Sequence, residues 1–467
     1  MTPSHNIVFS AEALGQLKGG LRGEVLLAGE PGYDQARQVW NNMIDRKPAL
    51  IVRCRGAGDV IAAVNFARRN NLQVAVRGGG HSVVGHSVCD GGLVIDLSLM
   101  KSVRVDPVTQ TARAEGGCTW HDVDFETQAF GLAVTGGQVS HTGIGGLTLG
   151  GGFGYLARKF GLTIDNLLSV DLVTAEGQLI HASSAENPDL FWAVRGGGGN
   201  FGVVTSFEYR LHPLGPIVAG GIAMFPLNQA QSALEFYRDL TETAPDELAV
   251  QAIFMTAPPA PFVPPDIQGT KVLTLAMCYA GPIEEGMGYV ERIRSFSRPV
   301  VDMLGPIPYV VQQSLVDEAA RFGQNYYVHG TFSEGLPDGL IEALVAGADN
   351  QMTSPGSFIL VTPLAGQVAR VSREATAYAY REARYSIDVN FGWLDLQESE
   401  EQIQAARDLS AVLGAFTTGK SYVNLVAEDD EKGTRTAYPP DTYARLQEVK
   451  RKYDPANFFR LNQNIKP

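Results

Sequence analysis

A histidine follows three consecutive glycines at residues 77–82, which read Arg-Gly-Gly-Gly-His-Ser. The apolar alternation at 72–76 predicts a strand, so the glycines form a turn at its end. Because glycines lack a Cβ, their backbone N–H groups can approach an anionic ligand closely, as in phosphate-binding loops. A histidine at the exit of such a loop has an imidazole free to bond to the ligand. The pattern predicts a pyrophosphate-containing cofactor, with His81 as the residue that could attach it covalently.

Two further glycine tracts, at residues 143–154 and 195–202, extend this pattern in a chain with 52 glycines. Alone, residues 77–82 would equally fit a tight turn followed by a surface histidine. Several tracts together indicate a long ligand held by several backbone loops. A Rossmann domain is excluded, because its G-x-G-x-x-G pattern needs a third glycine where Thr148 and Tyr155 stand.

Several motifs, taken in order along the chain, resemble those of FAD-linked oxidases of the vanillyl-alcohol-oxidase type. The resemblance is to the berberine-bridge-enzyme-like branch, which includes 6-hydroxynicotine oxidase, and within it to bacterial members that act on polyketide-like or heteroaromatic substrates. The matching stretches are RGGGHS (77–82), GIGGLTLGGGFG (143–154), RKFGLTIDN (158–166), NPDLFWAVRGGGGNFG (187–202), YVN (422–424), YDPANFFR (453–460) and NQNI (462–465).

The resemblance implies an α+β fold in which a two-part FAD-binding domain of the PCMH type receives an inserted substrate domain. Residues 1–215 and the C-terminal segment 416–467 are predicted to form the FAD-binding domain. Residues 216–415 are predicted to form the substrate-binding domain, on an antiparallel sheet covered by helices. The periodicity of this middle part predicts strands at 248–255, 272–279 and 358–362, and helices near 228–244, 284–297 and 366–384.

The resemblance also implies a covalent FAD, because the family histidine at the position of His81 bonds to the 8α-methyl group of the flavin. Many relatives have a second link, from a cysteine in a C-P-x-x-G-x-G-G segment. This chain has Val139 at that position, and the nearest thiol, Cys118, reads as a small buried residue. We therefore expect a single covalent link, through His81. A single link disfavours bulky oligosaccharide substrates, since it goes with a less open flavin site.

Backbone amides of residues 77–85 are expected to hold the pyrophosphate, and Val204 is expected near the adenine. The candidate cofactor-binding residues are His81, Arg77, Gly78, Gly79, Gly80, Ser82, Gly85, His141, Thr142, Gly143, Gly146, Gly152, Gly199, Val204 and Asn462. Thr142 and Leu147 also stand where relatives line the approach of dioxygen to the flavin, which favours an oxidase over a pure dehydrogenase. The histidines show no metal-ligand spacing, so no metal is expected.

The catalytic residues are expected on the middle sheet and in the Y-x-N segment. Relatives can carry a glutamate at the position of Leu360, so the catalytic base of this chain is unassigned. Tyr422 and Asn424 are the candidate catalytic residues, because the resemblance places them beside the flavin ring. Weaker candidates, of types that are more often structural, are His329, Tyr326 and Tyr327.

These inferences predict an FAD-dependent oxidase. A C–H bond next to oxygen or nitrogen, in an alcohol, amine, phenolic or heteroaromatic substrate, would give hydride to flavin N5, and dioxygen would be reduced to hydrogen peroxide. Two alternatives stay open. One is a flavin-dependent oxygenase or oxidative cyclase of a polyketide-like secondary metabolite. The other is a non-catalytic flavin-binding protein, which the missing glutamate at Leu360 would suggest.

The overall composition limits the partners. A formal net charge of −13 argues against nucleic acid, whose phosphates attract basic surfaces. No segment approaches the about 18 uninterrupted apolar residues of a membrane span. The first residues do not read as a signal peptide, so we expect a cytoplasmic protein with reduced cysteines. The expected partners are a small-molecule substrate and dioxygen, in a monomer or homodimer. The acidic run at 428–431 is expected to be an exposed loop.

Overall fold

The computed structural model describes residues 9–427 and 433–467, and the acidic run at 428–431 lies outside this part. The strands are β1 (Glu24–Leu27), β2 (Leu50–Arg53), β3 (Val74–Arg77), β4 (Leu93–Asp96), β5 (Val103–Asp106), β6 (Thr111–Glu115), β7 (Leu132–Ala133), β8 (Leu167–Val173), β9 (Leu179–Ser183), β10 (Val203–Arg210), β11 (His212–Pro213), β12 (Ile217–Pro226), β13 (Leu248–Thr256), β14 (Lys271–Tyr279), β15 (Val301–Asp302), β16 (Gly305–Pro308), β17 (Asn325–Ser333), β18 (Phe358–Pro363) and β19 (Tyr385–Trp393). The α-helices are α1 (Ala11–Gly19), α2 (Tyr33–Arg37), α3 (Ala57–Arg69), α4 (Trp120–Gln128), α5 (Ile144–Gly150), α6 (Ala157–Phe160), α7 (Pro188–Ala193), α8 (Ala230–Thr243), α9 (Ile283–Phe296), α10 (Tyr309–Gln312), α11 (Asp338–Asn350), α12 (Gln367–Arg370), α13 (Ser399–Gly414), α14 (Thr434–Ala437) and α15 (Pro440–Tyr453).

The first sheet positions the RGGGHS loop. Its strand order is β1-β2-β4-β3, with β2, β4 and β3 parallel and β1 antiparallel to β2. Helix α3 connects β2 to β3, and the loop follows β3 directly, as predicted. The chain then passes through β4 and β5 without an intervening helix. A Rossmann phosphate loop opens a helix, so this path confirms that the loop is of another kind.

The second sheet positions the other two glycine tracts. Its strands are ordered β5-β6-β10-β8-β9, and all neighbours are antiparallel. Strand β10 begins directly after the tract at 195–202, while the tract at 143–154 contains the short helix α5. Phe207 and Tyr209 of β10 are fully buried together with Trp120 of α4. This core anchors both tracts to rigid elements.

The middle of the chain forms a third, larger sheet, ordered β15-β12-β14-β13-β18-β19-β17, with β16 also paired to β12. All of its neighbouring strands are antiparallel. Side chains of α8, α9, α11 and α13 share a core with one face, to which β19 contributes Tyr385, Ile387 and Val389. The α+β fold with a helix-covered antiparallel sheet is therefore confirmed. Side chains alternate along a strand, so Ser386 and Asp388 lie on the opposite face.

The predicted helix at 366–384 is wrong. Helix α12 covers only the start of this stretch, and the rest runs irregularly to β19. Its apolar side chains, such as Tyr378, are buried in the core of the first half of the chain. The Arg381 guanidinium forms a buried ion pair with Asp165, at 2.7 Å. The alternation of apolar and polar residues therefore arises because an irregular segment buries some of its side chains, and it does not indicate a helix.

The C-terminal segment returns to the first half of the chain. Lys450 of α15 is fully buried, and its Nζ donates to the backbone oxygen of Asn200 at 2.6 Å and to Asp454 at 2.7 Å. Helix α15 also packs against α7. These contacts support the proposal that residues 416–467 join residues 1–215 in one domain. The domain boundaries stay predictions.

Candidate active site

Two glycine tracts meet backbone to backbone at the RGGGHS loop. A Cβ on Gly79 would overlap the backbone nitrogen of Gly143, and a Cβ on Gly143 would overlap that of Gly79. Gly80 and Gly85 each have a φ of +74°, in the left-handed region that favours glycine. Arg77 has a buried Nε without a hydrogen-bond partner among the described residues. A close backbone surface beside an unsatisfied cationic donor fits an anionic cofactor group.

The remaining loop residues close the turn around this surface. Gly78 lies against Gly116, whose carbonyl oxygen would be 3.1 Å from a Cβ on Gly78. The Ser82 hydroxyl accepts from the backbone N–H of His86 at 3.0 Å, and the Ser82 carbonyl accepts from Gly85 at 3.0 Å. These bonds fix the chain just after His81.

His81 lies inside a cluster of rings. Its Nε2 is 2.8 Å from Nδ1 of His141, so the two imidazoles share a hydrogen bond. The Trp40 ring stacks on His81 with centroids 5.3 Å apart, and Phe322 contacts it edge-on at 5.2 Å. Burial, with a smaller effect from His141, lowers the pKa of His81 to about 3. The imidazole is therefore neutral at neutral pH, which is the form that can act as a nucleophile.

At the other end of the predicted cofactor path, Asn462 and Gly199 are in contact. The Asn462 amide donates to the Gly199 carbonyl at 3.2 Å, while its buried Oδ1 has no partner among the described residues. The Oδ1 of Asn464 is also buried and has no hydrogen-bond partner among the described residues. Val204 is buried in β10, and its carbonyl oxygen lies against Gly116. Unsatisfied buried acceptors beside a glycine tract fit the hydroxyl and amino groups of a nucleotide.

Tyr422 and Asn424 hold the second glycine tract. The Tyr422 hydroxyl accepts from the Gly152 N–H at 3.0 Å and from the Asn424 amide at 2.9 Å. The Asn424 amide also donates to the Gly146 carbonyl at 3.0 Å. Burial raises the pKa of Tyr422, so the phenol stays protonated. The structure thus brings these predicted catalytic and cofactor residues together, through hydrogen bonds of the Tyr422 hydroxyl and the Asn424 amide with this tract and with each other.

A buried carboxylate that sequence reasoning missed lies on the third sheet. Asp388 pairs directly with Leu360 across β18 and β19, so both side chains point to the face opposite the helices. Asp388 is 5% exposed, and burial raises its pKa to about 7 in spite of a 2.7 Å hydrogen bond from the Ser386 hydroxyl. The carboxylate absent at position 360 is therefore present on the next strand. Its signal was the polar alternation of Ser386, Asp388 and Asn390 in an otherwise apolar strand.

The Y-x-N segment packs against the sheet at Asp388. Gly330 pairs with Asp388 across β17 and β19. A Cβ on Gly330 would lie 2.8 Å from the Leu425 Cβ and 3.3 Å from Asp388 Oδ1. The negative charge of Asp388 also contributes to the raised pKa of Tyr422. Asp388, Tyr422 and the tract at 143–154 therefore surround one region of the molecule.

The weaker candidates on β17 divide between the two faces of the sheet. His329 pairs with Val389, which belongs to the helix-covered core, so His329 lies on that face. Tyr327 lies on the same face and contacts the guanidinium of Arg407 of α13. Tyr326 lies on the face of Asp388, where its ring stacks on Trp40 at 3.8 Å. Tyr326 is thus the one of the three on the side of His81.

Val139 and Cys118 bear on the predicted single flavin link. Val139 packs against the cluster that includes Trp40 and Tyr326. Cys118 is free and fully buried, and burial raises its pKa to about 12. Thr142 lies in the His141 loop, where its N–H donates to the Val139 carbonyl at 3.1 Å. Cys118 is therefore a packed thiol, as the sequence predicts, and its raised pKa keeps it protonated.

A cavity of about 310 Å³ opens beside the RGGGHS loop. Val83 and Val84 form one wall, and Tyr326 and Val328 of β17 form another. Its volume suits a small molecule of a few rings. In residues 9–427 and 433–467, no helix is both long and apolar enough to cross a membrane. In the same residues, no group of histidine, cysteine, aspartate and glutamate side chains is placed to hold a metal ion.

Comparison with known proteins decides the family. A family model described as "FAD binding domain" matches residues 48–183, and one described as "Berberine and berberine like" matches residues 421–466. An FAD-linked oxidoreductase of Dictyostelium discoideum is 36% identical over 452 residues, which cover 96% of this chain and 95% of the relative. The chain belongs to the berberine-bridge-enzyme-like family of FAD-linked oxidoreductases.

Further members of this family agree with the assignment. The (R)-6-hydroxynicotine oxidase of Paenarthrobacter nicotinovorans is 33% identical over 463 residues, which cover 96% of this chain and 97% of that protein. The crystal structure of 6-hydroxy-D-nicotine oxidase from Arthrobacter nicotinovorans matches with a TM-score of 0.85 at 30% identity, over 96% of this chain and 98% of that one. The resemblance stated from the motifs is confirmed, and the protein is an FAD-dependent enzyme.

Proposed function

We propose that this enzyme is an oxidase that removes hydride from a C–H bond next to oxygen or nitrogen and reduces dioxygen to hydrogen peroxide. Bound FAD would supply the hydride acceptor and the reaction with dioxygen. The observation that carries the proposal is the buried carboxylate of Asp388 beside the Y-x-N segment, which hydrogen-bonds to Ser386 and has no cationic partner among the described residues. The argument for a non-catalytic protein was the missing carboxylate at Leu360. Asp388, which pairs with Leu360 on the neighbouring strand, provides a carboxylate there, so we favour an enzyme.

Asp388 is proposed as the catalytic base. A base whose pKa lies near the working pH can take the proton of a substrate O–H or N–H as hydride leaves the adjacent carbon. Burial sets the pKa of Asp388 near 7, and the Ser386 hydroxyl orients one oxygen through its hydrogen bond. The second carboxylate oxygen is left for the substrate.

Tyr422 and Asn424 are proposed to act by fixing the position of the glycine tract relative to the substrate. Their amide and hydroxyl bind the backbone at Gly146 and Gly152. Rigid placement matters because hydride transfer needs reacting atoms about 3–3.5 Å apart. The relative that acts on 6-hydroxynicotine supports a small heteroaromatic amine or alcohol as the substrate.

The cofactor is proposed to carry one covalent bond, through His81. The neutral, buried imidazole supports this role, while Val139 and the protonated thiol of Cys118 argue against a second bond. Thr142 and Leu147 are proposed to border the approach of dioxygen. Four buried free thiols support a reducing compartment, and we propose the cytoplasm.

The test combines three measurements on the purified enzyme. Acid-precipitated protein should stay yellow, and His81→Ala protein should release its flavin under the same treatment. A panel of amines, alcohols and phenols should include compounds that bleach the flavin without oxygen, and readmitted air should yield one hydrogen peroxide for each product molecule. Thr142→Leu should slow this reoxidation. Oxygen incorporated into the product in place of released peroxide would show an oxygenase, and no bleaching with any compound would refute the proposal.

A further inference from the structure

A segment from the middle of the chain packs against the His141 loop, which we define as residues 137–143, between β7 and α5. This segment comprises residues 313–322, begins directly after α10 and leads to β17, and we call it the strap. At the end of the strap, the Phe322 ring lies with its centroid 5.4 Å from that of His141. The part of the chain that carries the third sheet therefore contacts a loop of the first half.

Asp317 of the strap binds the loop through two short hydrogen bonds. Its carboxylate accepts from the Ser140 N–H at 2.7 Å and from the Ser140 hydroxyl at 2.6 Å. Hydrogen bonds to a carboxylate are shorter and stronger than those to a neutral acceptor. Ser140 is 7% exposed, so removal of Asp317 leaves two poorly exposed donors without this acceptor, which costs free energy. The conformation of the loop at Ser140 therefore depends on the strap.

The strap is itself fixed on both sides of Asp317. Before Asp317, the Gln313 amide donates to the Gly137 carbonyl of the loop at 3.1 Å. After Asp317, the Ala320 carbonyl accepts from the indole N–H of Trp40 at 2.6 Å. Because the strap is anchored at both ends, its carboxylate can hold the loop in one position.

The His141 loop leads directly into the contact between the two glycine tracts. The Thr142 carbonyl accepts from the N–H of Trp120, at the start of α4, at 3.0 Å. The next residue, Gly143, lies so close to Gly79 that a Cβ on either would overlap the backbone of the other. A displaced loop would therefore change the spacing of the two tracts that are proposed to bind the cofactor.

We propose that the strap holds the His141 loop in the conformation that binds FAD, and that Asp317 is the positioning residue. This inference rests on the cofactor site proposed at the glycine tracts. A site that is already ordered before its ligand arrives loses less conformational entropy on binding, so it binds the ligand more tightly. The middle part of the chain thus contributes to FAD affinity through Ser140, without Asp317 itself touching the cofactor.

The alternative is that Asp317 supports the fold in general, and matched variants separate the two roles. Asp317→Ala removes both hydrogen bonds to Ser140. Asp317→Asn is the conservative variant, because its oxygen can accept from the Ser140 N–H and its amide can donate to the Ser140 hydroxyl. The control is Glu318→Ala, which removes the neighbouring exposed carboxylate and changes the net charge by the same amount.

The experiment measures the loop and the cofactor separately. Every variant is made in full-length protein that also contains His81→Ala, which serves as the reference and binds FAD without a covalent bond. Hydrogen exchange of the apoprotein, read by mass spectrometry, reports how often residues 137–143 open. Titration with FAD, followed by the quenching of its fluorescence, gives the Kd. Neither measurement needs a substrate or dioxygen.

The expected changes are local to the loop. In Asp317→Ala, amides of residues 137–143 should exchange about 10-fold faster or more, because the loop loses two hydrogen bonds to a charged acceptor. Exchange in β8 and β10 of the second sheet should stay unchanged. The Kd for FAD should rise by about 10-fold or more for the same reason. Asp317→Asn and Glu318→Ala should both behave like the reference protein.

Four results would overturn the proposal. The first is unchanged exchange of the loop in Asp317→Ala. The second is faster exchange throughout β8 and β10 as well, because that indicates general destabilisation. The third is an unchanged Kd for FAD although the loop opens more often. The fourth is an Asp317→Asn protein that is impaired as much as Asp317→Ala.

A separate variant tests the proposed cofactor site on which this inference rests. Gly79→Ala adds a Cβ that would overlap the backbone of Gly143. If this protein folds and binds FAD as tightly as the reference, the cofactor site is misplaced. Failure of the oxidase reaction would instead appear in the assays with substrate and dioxygen, which leave the exchange and FAD titration results unaffected.

Discussion

Replacing Asp388 by asparagine should slow the enzyme and stabilise its fold at the same time. The carboxylate is 5% exposed, and its burial raises its pKa from an ordinary 3.8 to about 7. An ionised Asp388 therefore costs the folded state about 4 kcal/mol above pH 7, at about 1.4 kcal/mol for each unit of pKa. Asparagine has nearly the same shape and carries no charge.

The sign of the pH dependence follows from the raised pKa. Between about pH 4 and pH 7 the unfolded state has lost the Asp388 proton while the folded state keeps it, so the free energy of unfolding falls as pH rises. The variant lacks this contribution. The melting temperature of the variant should therefore rise relative to that of the wild type between about pH 4 and pH 7, and this difference should persist above pH 7. Thermal unfolding of both proteins at a series of pH values measures the difference.

Activity should change in the opposite direction. In the wild type, kcat/KM should rise with pH and level off above about 7, because the base must be ionised. In the variant, the rate of anaerobic flavin reduction should fall by about 100-fold or more, and its kcat/KM should not rise with pH in this way. Asp124 is the matched control: it is 2% exposed, burial raises its pKa to about 7, and it accepts from Gln313 at 3.1 Å. Asp124→Asn should show the same stability trend with wild-type kinetics.

The reasoning is refuted if Asp388→Asn retains the wild-type rate and its pH limb. It is refuted equally if the difference in melting temperature between variant and wild type is constant from pH 4 to pH 8, since burial of a charge requires it to change.

Two further outcomes are expected. Tyr422→Phe should keep its flavin but slow anaerobic flavin reduction by about 10- to 100-fold, because Gly152 and Asn424 lose their acceptor. The control is Tyr237→Phe, whose hydroxyl donates to the Val361 carbonyl on the helix-covered side. Equal slowing in this control would contradict the prediction. Lys450→Met should lower the free energy of unfolding by about 3–5 kcal/mol, because it leaves buried Asp454 without its cation. The control, Lys452→Met, removes an exposed ion pair and should change the free energy of unfolding by less than about 1 kcal/mol. Denaturant titrations measure both changes.

The glycine loop could be predicted from the sequence because its properties reside in consecutive residues. Three glycines permit close backbone approach, and the histidine that follows them must lie at the turn. In the structure the loop follows β3, and it approaches Gly143 backbone to backbone at Gly79, a contact that the sequence did not predict. The partnership of His81 with His141 needed the structure, since sixty residues separate them.

Asp388 could not be assigned in this way, because its position depends on strand register. Leu360 contains no information about which residue will stand opposite it on β19. The stretch at 366–384 failed for a related reason: Tyr378 is buried by contacts with a distant part of the chain, and local periodicity cannot distinguish that from a helical face.

The contacts of Asn200 set an order of events during biosynthesis. Its carbonyl receives the Lys450 ammonium at 2.6 Å, and its side-chain oxygen receives the Ile465 N–H at 2.9 Å. The ribosome delivers the glycine tract at 195–202 first, then the whole third sheet, and only afterwards these two partners. Nascent chains shorter than about 450 residues lack both partners, so the tract gains these two contacts only near the end of synthesis. Asn200 is therefore held from both sides only in chains whose synthesis is nearly finished.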